Sequence, residues 1–195
     1  GAPLKAMSGL LPPTETQDFV LSASSGQSSE NQNPDFPKSV KYGSFLKLPH
    51  GIQGFFDYDE AVEYAKKVNK PLFIDFTGHG CVNCRKMEAS VWVDSEVLKR
   101  LKNDYVVVAL YVDDKTELPK NEWFTSKDDG LEKTTLGDQN LDFEITKFNA
   151  NAQPYYCLVN PNGEPKPMLE PRAFDQDVKA FTDFLDAGKA KFFGK

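Results

Sequence analysis

The sequence predicts an α/β protein: a central mixed sheet flanked by helices, with an extended N-terminal segment and an insertion before a late strand. Three observations lead there. Helical and strand-like patterns alternate from Phe55 onward. The run YVVVALYV at 105–112 is apolar on both faces, as befits a strand at the centre of a covered sheet. Finally, the turn PNGEP at 161–165 joins the last two strand candidates tightly enough to make them an antiparallel hairpin, whereas the earlier alternation implies crossovers and parallel strands.

Each element follows from local chemistry. Asp57 followed by Glu60 is a helix cap, and Ala61, Ala65 and Val68 share one face of a helix ending near Asn69. Pro71 opens LFIDF, a compact apolar strand at 72–76. A helical stretch then runs to about Leu101, broken near Val93, where Asp94 or Ser95 caps a second segment. Residues 114–140 are charged and read as the insertion. A helix over 142–148, the strand YYCLVN at 155–160 and a closing helix from Asp175 complete the chain. Val178, Phe181 and Leu185 share a face of that last helix, and Gly188 reads as its stop.

Composition narrows the class. A chain of 195 residues with 39% apolar and 12% aromatic residues can bury one core, so one domain with an appendage is expected. The net charge of -6, with acidic and basic residues interspersed, excludes nucleic acid as a partner and offers no stripe for an anionic membrane surface. The eight-residue run at 105–112 is far short of the roughly 20 residues a membrane helix needs. The chain opens with Gly, and GAPLKAMSGLLPP lacks the features of a signal peptide, so the chain reads as a piece of something larger. Residues 14 to about 40 are rich in Ser, Gln, Asn and Pro and read as a linker with aromatic anchors at Phe36, Tyr42 and Phe45. The division expected is therefore 1–50 for the segment and linker and 51–195 for the domain.

The chemistry concentrates in PLFIDFTGHGCVNCRK at 71–86. A strand that ends just before a Cys-x-x-Cys opening a helix puts Cys81 at the helix N-terminus, where free backbone N–H groups stabilise a thiolate. Cys84 lies one turn on, placed to attack a mixed disulfide at Cys81, so the pair supplies the nucleophile and the resolving thiol of thiol-disulfide exchange. Other uses of the pair are weaker. Zinc needs four ligands, and Cys157, His79 and His50 offer no second Cys-x-x-Cys or His pair. A permanent staple across two residues constrains the unfolded chain little. Thiols that merely pack would not sit in a glycine-rich loop. No metal, nucleotide or organic cofactor is called for.

The stretch PLFIDFTGHGCVNCRKME, with NAQPYYCLV downstream, resembles a thioredoxin-fold domain. More narrowly, it resembles the C-terminal soluble domain of the DsbD family of membrane-bound thiol:disulfide interchange proteins. The likeness runs from about Phe55 to the end of the chain, and GAPLKAMSGLLPP is similar to the segment just past the last membrane helix in that family. It implies a periplasmic domain of an inner-membrane protein, re-reduced by a membrane electron donor and acting on disulfide-bearing partner proteins.

By the same resemblance, Cys81 matches the attacking cysteine and Cys84 the resolving one. Asp75 matches the buried carboxylate beneath the active site, a group that exchanges protons with Cys84; its neighbours Ile74 and Phe76 favour burial. Glu88 matches an acidic residue near the pair, and it shares a helix face with Cys84 at i, i+4. Pro154 matches the proline held cis opposite the cysteines, which implies a Gln153 backbone open to pairing with an extended partner segment. Gly80 and His79, in the loop before Cys81, complete the expected partner-binding edge. Cys157, Trp92 and Met87 are expected in the core, and Trp123 and Phe124 are expected to pack the insertion onto the body.

The sequence also departs from thioredoxin, which carries Trp-Cys-Gly-Pro-Cys. Here Gly80 precedes Cys81 and Val82-Asn83 fill the motif, so reducing strength does not carry over. The segment before Pro154 is also longer. The reading is a reductant that passes electrons through Cys81 and Cys84. A disulfide isomerase or oxidase using the same residues is the first alternative, and a non-catalytic binding or metal-chaperone module is the second.

Overall fold

Leu72–Thr77 and Val106–Tyr111, the two strongest strand patterns, pair in parallel along their whole length. The structure is a computed structural model and describes residues 32–195. In chain order its elements are β1 (Gly54–Phe55), α1 (Tyr58–Val68), β2 (Leu72–Thr77), α2 (Val82–Met87), which continues into a π turn (Glu88–Trp92), α3 (Ser95–Asn103), β3 (Val106–Tyr111), β4 (Phe124–Thr125), β5 (Glu132–Lys133), α4 (Leu136–Phe148), β6 (Tyr155–Val159) and α5 (Val178–Phe193). The main sheet has the order β1-β3-β2-β6, with β6 antiparallel to β2. It is the mixed, helix-flanked sheet that the sequence predicts.

Strand alternation divides the core between two faces. Phe73, Val107, Tyr156 and Leu158 meet Met87, Trp92, Leu101 and Phe181 on one side. Leu72, Ile74, Phe76, Val108 and Cys157 meet Ala61, Ala65 and Phe148 on the other. Caps fix the helix starts as expected: Asp57 accepts the N–H of Glu60, and Asp94 accepts those of Glu96 and Val97.

Three expectations are corrected. Helix α4 begins at Leu136, six residues before the expected 142, because Thr135 and Asp138 form a reciprocal capping box; the insertion therefore ends sooner than 140. Gly188 does not stop α5, which runs on to Phe193 and is capped by left-handed Gly194. Gly188 is instead a crossing point, where an added Cβ would lie 2.2 Å from Leu158 Cδ1 and 2.6 Å from Tyr105 Oη. The partner strand of the expected hairpin is reduced to the bridges Val159–Pro167 and Tyr156–Arg172, because Pro165, Pro167 and Pro171 remove ladder donors.

Asn33–Lys195 form one compact unit. Phe36 packs 5.1 Å from the Phe55 ring, and Asn33 donates to Tyr64 Oη at 2.8 Å, so part of the expected linker lies on the body. Tyr42 packs beside Leu46 and Phe56, whereas Phe45 is exposed. Readings that fall on residues 1–31 lie outside the described residues. Within the insertion, Leu118 is buried and its carbonyl accepts the Trp123 indole N–H at 2.8 Å; Trp123 packs against the Leu118 and Leu136 cluster, while Phe124 is half-buried. Among the described residues no helix is long and apolar enough to cross a membrane.

Candidate active site

β2 ends at Thr77, and Gly78–Gly80 turn the chain into α2 with Cys81 as its N-cap. Cys81 and Cys84 are joined as a disulfide, with Cα atoms 5.3 Å apart. The two sulfurs differ in access: Cys84 is 2% exposed, whereas Cys81 is half-buried and accepts the N–H of Cys84 at 3.2 Å. The nucleophile expected at the open end of the helix is the one that solvent reaches.

Asp75 lies in β2 on the face shared with Phe73 and Thr77, beneath α2, and its register neighbours are Ala109 and Tyr156. It is buried and, among the described residues, its Oδ1 has no hydrogen-bond partner. Burial, with the charge of Glu88 adding to it, holds this carboxyl well above the usual carboxylate range, and the Arg85 guanidinium opposes the shift. Glu88 stands 3.2 Å from Arg85, and burial raises it too against the pull of Arg85 and His50. Arg85 also donates to Thr77 Oγ1 at 3.0 Å and the Gly78 carbonyl at 3.3 Å. One guanidinium thus ties the end of β2 to the turn after Cys84. His50 Nε2 donates to the Glu88 carbonyl at 2.6 Å, where the helix passes into the π turn.

The loop before Cys81 hangs from the end of β3. Asp113 accepts the N–H groups of His79 and Gly80, at 2.8 and 2.9 Å. His79, expected on the partner-binding edge, is exposed and has a partner: its Nε2 lies 2.7 Å from Asp114 Oδ2, and its ring is tilted against Tyr111 with centroids 4.5 Å apart. Burial works against the Asp114 charge, yet hydrogen bonds from Thr116 and His79 hold that carboxyl below its ordinary range.

Opposite the pair, the Gln153–Pro154 peptide is cis. Gln153 lines a groove of about 510 Å³ with Gly78, Gly80, Cys81, Val82 and Asp113, and Val82 is 67% exposed at its rim. Buried Glu144 of α4 accepts the Gln153 side-chain amide at 2.8 Å and the Ala152 N–H at 3.0 Å. The residues weighed as further zinc ligands lie apart in use: His79 engages Asp114, His50 engages Glu88, and Cys157 is buried in β6 with its thiol pushed up by burial.

The structure therefore sets Cys81 at the N-terminus of α2, Cys84 within it and Glu88 at its C-terminal end, with Asp75 buried on the strand beneath; Gly80 and Gln153 line the groove beside Cys81, and His79 and Pro154 are their chain neighbours. Sequence reading missed Arg85, Asp113, Asp114 and Glu144. The acidic pair at the end of the apolar run 105–112 was the one local signal, since side chains just beyond a strand's C-terminal end in an α/β sheet border its ligand crevice.

A mixed sheet of this topology, with a Cys-x-x-Cys disulfide where β2 meets α2 and a cis-proline opposite, defines a thiol:disulfide oxidoreductase of the thioredoxin fold. The chain belongs to the thioredoxin-like family, whose sequence profile matches residues 52–161, more than half of the chain. A search of curated protein sequences returns no match. Among solved structures the chain is similar to a DsbH oxidoreductase, at 16% identity and TM-score 0.51, covering 87% of this chain and 97% of that one. It is also similar to a thioredoxin from Thermus thermophilus, at 18% identity and TM-score 0.50, covering 73% of this chain and 92% of that one. At such identities the likeness speaks for the fold.

Proposed function

We propose that this protein is a protein-disulfide reductase. In its reduced form the Cys81 thiolate attacks one sulfur of a partner disulfide; a Cys81–partner bond forms, and the second partner sulfur leaves as a thiolate. Asp75 takes the proton of Cys84, whose thiolate then attacks Cys81 Sγ, releasing the first partner sulfur and closing the Cys81–Cys84 bond. Two electrons have passed to the partner. A membrane electron donor returns them by the same exchange in reverse.

The observation that carries this reading is the asymmetry of the pair: a reachable Cys81 capping the helix and a buried Cys84 in the helix whose Arg85 and Glu88 charges act on the buried Asp75 carboxyl. Glu88, the second raised carboxyl, at the C-terminal end of this short helix, opposes thiolate formation and so restrains indiscriminate attack. Gln153, Pro154, Gly80 and His79 form the edge that receives the partner. The resemblance of GAPLKAMSGLLPP and of 71–88 to the DsbD family supports a periplasmic position as the soluble domain of an inner-membrane protein. A DsbH oxidoreductase among the structural neighbours accords with disulfide exchange. Equilibration of the Cys81–Cys84 pair with glutathione and dithiothreitol buffers tests the direction. A potential below about -200 mV, the range of thioredoxin and the glutaredoxins, is expected, and a strongly oxidising value near that of DsbA, about -120 mV, would overturn it.

A further inference from the structure

Glu144 lies on the face of the sheet opposite Asp75, and it is fully buried near the end of α4. Its hydrogen bonds reach one place. Oε1 accepts the Ala152 N–H at 3.0 Å, Oε2 accepts Gln153 Nε2 at 2.8 Å, and its own carbonyl accepts the N–H of Asn149, the left-handed residue that ends the helix. Burial lifts this carboxyl to about 7 although both bonds oppose the shift. A buried carboxylate is a costly way to finish a helix, where an apolar residue would pack without the desolvation penalty. What it secures is the loop before Pro154. Gln153 is the residue of that loop that reaches the groove beside Cys81, and its amide is drawn inward to Glu144.

We propose that Glu144 is a positioning residue for partner recognition: by holding Ala152 and the Gln153 amide from below, it fixes the backbone edge along which an extended polypeptide pairs, and so governs the use of protein disulfides rather than small ones. This rests on the oxidoreductase reading. A polypeptide must lay several residues along the Ala152–Gln153 backbone, and main-chain pairing of that kind is lost when the edge moves. A small disulfide needs only Cys81.

The test compares insulin with 4,4′-dithiodipyridine as disulfide substrates for the dithiothreitol-reduced protein, using the wild type, Glu144→Gln and Glu144→Leu. Glu144→Gln keeps the packing and one acceptor; Glu144→Leu keeps the packing alone. The expected result is a KM for insulin raised several-fold in Glu144→Gln and about tenfold in Glu144→Leu, the scale of losing charge-assisted hydrogen bonds, with kcat, the rate on 4,4′-dithiodipyridine and the Cys81–Cys84 potential within about twofold or unshifted. Equal losses on both substrates, a displaced potential, or an unchanged insulin KM in folded Glu144→Gln overturns the inference. A wild type that reduces neither substrate overturns the oxidoreductase reading itself, which separates the two failures.

Discussion

Asp113 accepts the backbone N–H of Gly80 at 2.9 Å while its other oxygen holds His79, so the loop that delivers Cys81 is suspended from the end of β3 rather than from its own strand. Gly78 permits the approach, since a Cβ there would lie 3.1 Å from the Asp113 carboxylate. Asp113→Ala removes two charge-assisted bonds in an exposed setting, and a loss of about 1–2 kcal/mol is expected once solvent screening is allowed for. Removing a negative charge from the groove also lowers the pH at which Cys81 reacts with iodoacetamide. Urea unfolding and alkylation rates measure the two effects, and an unchanged alkylation profile would count against a Cys81 that senses Asp113.

Gly137 is the corresponding device at the other end of that segment. An added Cβ would stand 2.7 Å from the Asp114 carbonyl, 2.8 Å from its nitrogen and 2.9 Å from the Val112 carbonyl, all backbone atoms that cannot rotate away. Gly137→Ala must push α4 off the stretch that carries Asp113 and Asp114. Overpacking of this kind costs about 1–3 kcal/mol, and hydrogen exchange is expected to accelerate at residues 112–116. Wild-type exchange there would show that the helix yields without disturbing the site.

Asp75 gives stability a pH dependence of definite sign. Its carboxyl is raised in the folded chain, so the contribution is complete below the unfolded value near about 4 and is lost as pH climbs through the folded value. Asp75→Asn escapes that loss. The variant is expected to be more stable than wild type at about pH 8, with the gap closing as pH falls toward about 4; thermal unfolding across that range checks it, and a constant gap would mean that Asp75 is not protonated on folding. Glu144 carries a raised carboxyl of the same sign but is present in both proteins and cancels in the comparison, whereas Glu88 is coupled to Asp75, so the difference reports Asp75 together with the response of Glu88 to its removal.

The unequal exposure of the cysteines governs trapping. Cys84→Ser leaves a reachable Cys81 with nothing to resolve its mixed disulfide, and covalent complexes with partner proteins are expected on non-reducing gels. Cys81→Ser leaves the 2% exposed Cys84 and the fully buried Cys157 and is expected to trap little. Equal trapping by both variants would reverse the roles.

Much of the fold was written locally. The apolar runs at 72–76 and 105–112 became the paired central strands because their residues bury on both faces, and Asp57 and Asp94 capped their helices because an acidic oxygen there meets free N–H groups. Local reading failed where a distant element decided the outcome. Gly188 resembles a helix stop until Tyr105 and Leu158 are seen against it, and the expected second hairpin strand lost its ladder to prolines.

The site divides along the same line. Sequence alone determined the Cys81–Cys84 pair and its place between strand and helix, because strand period and helix pitch fix the geometry of residues close in the chain; Asp75 and Glu88 were singled out by the resemblance to the thioredoxin fold. Tertiary structure decided that Asp113 and Asp114 hold the loop, that Arg85 bridges Thr77 and Glu88, and that Glu144 anchors Gln153. Along the chain these four are ordinary charged residues; crossing strands and a returning helix bring them within hydrogen-bond reach, and burial then gives the charges of Asp114 and Glu144 added weight.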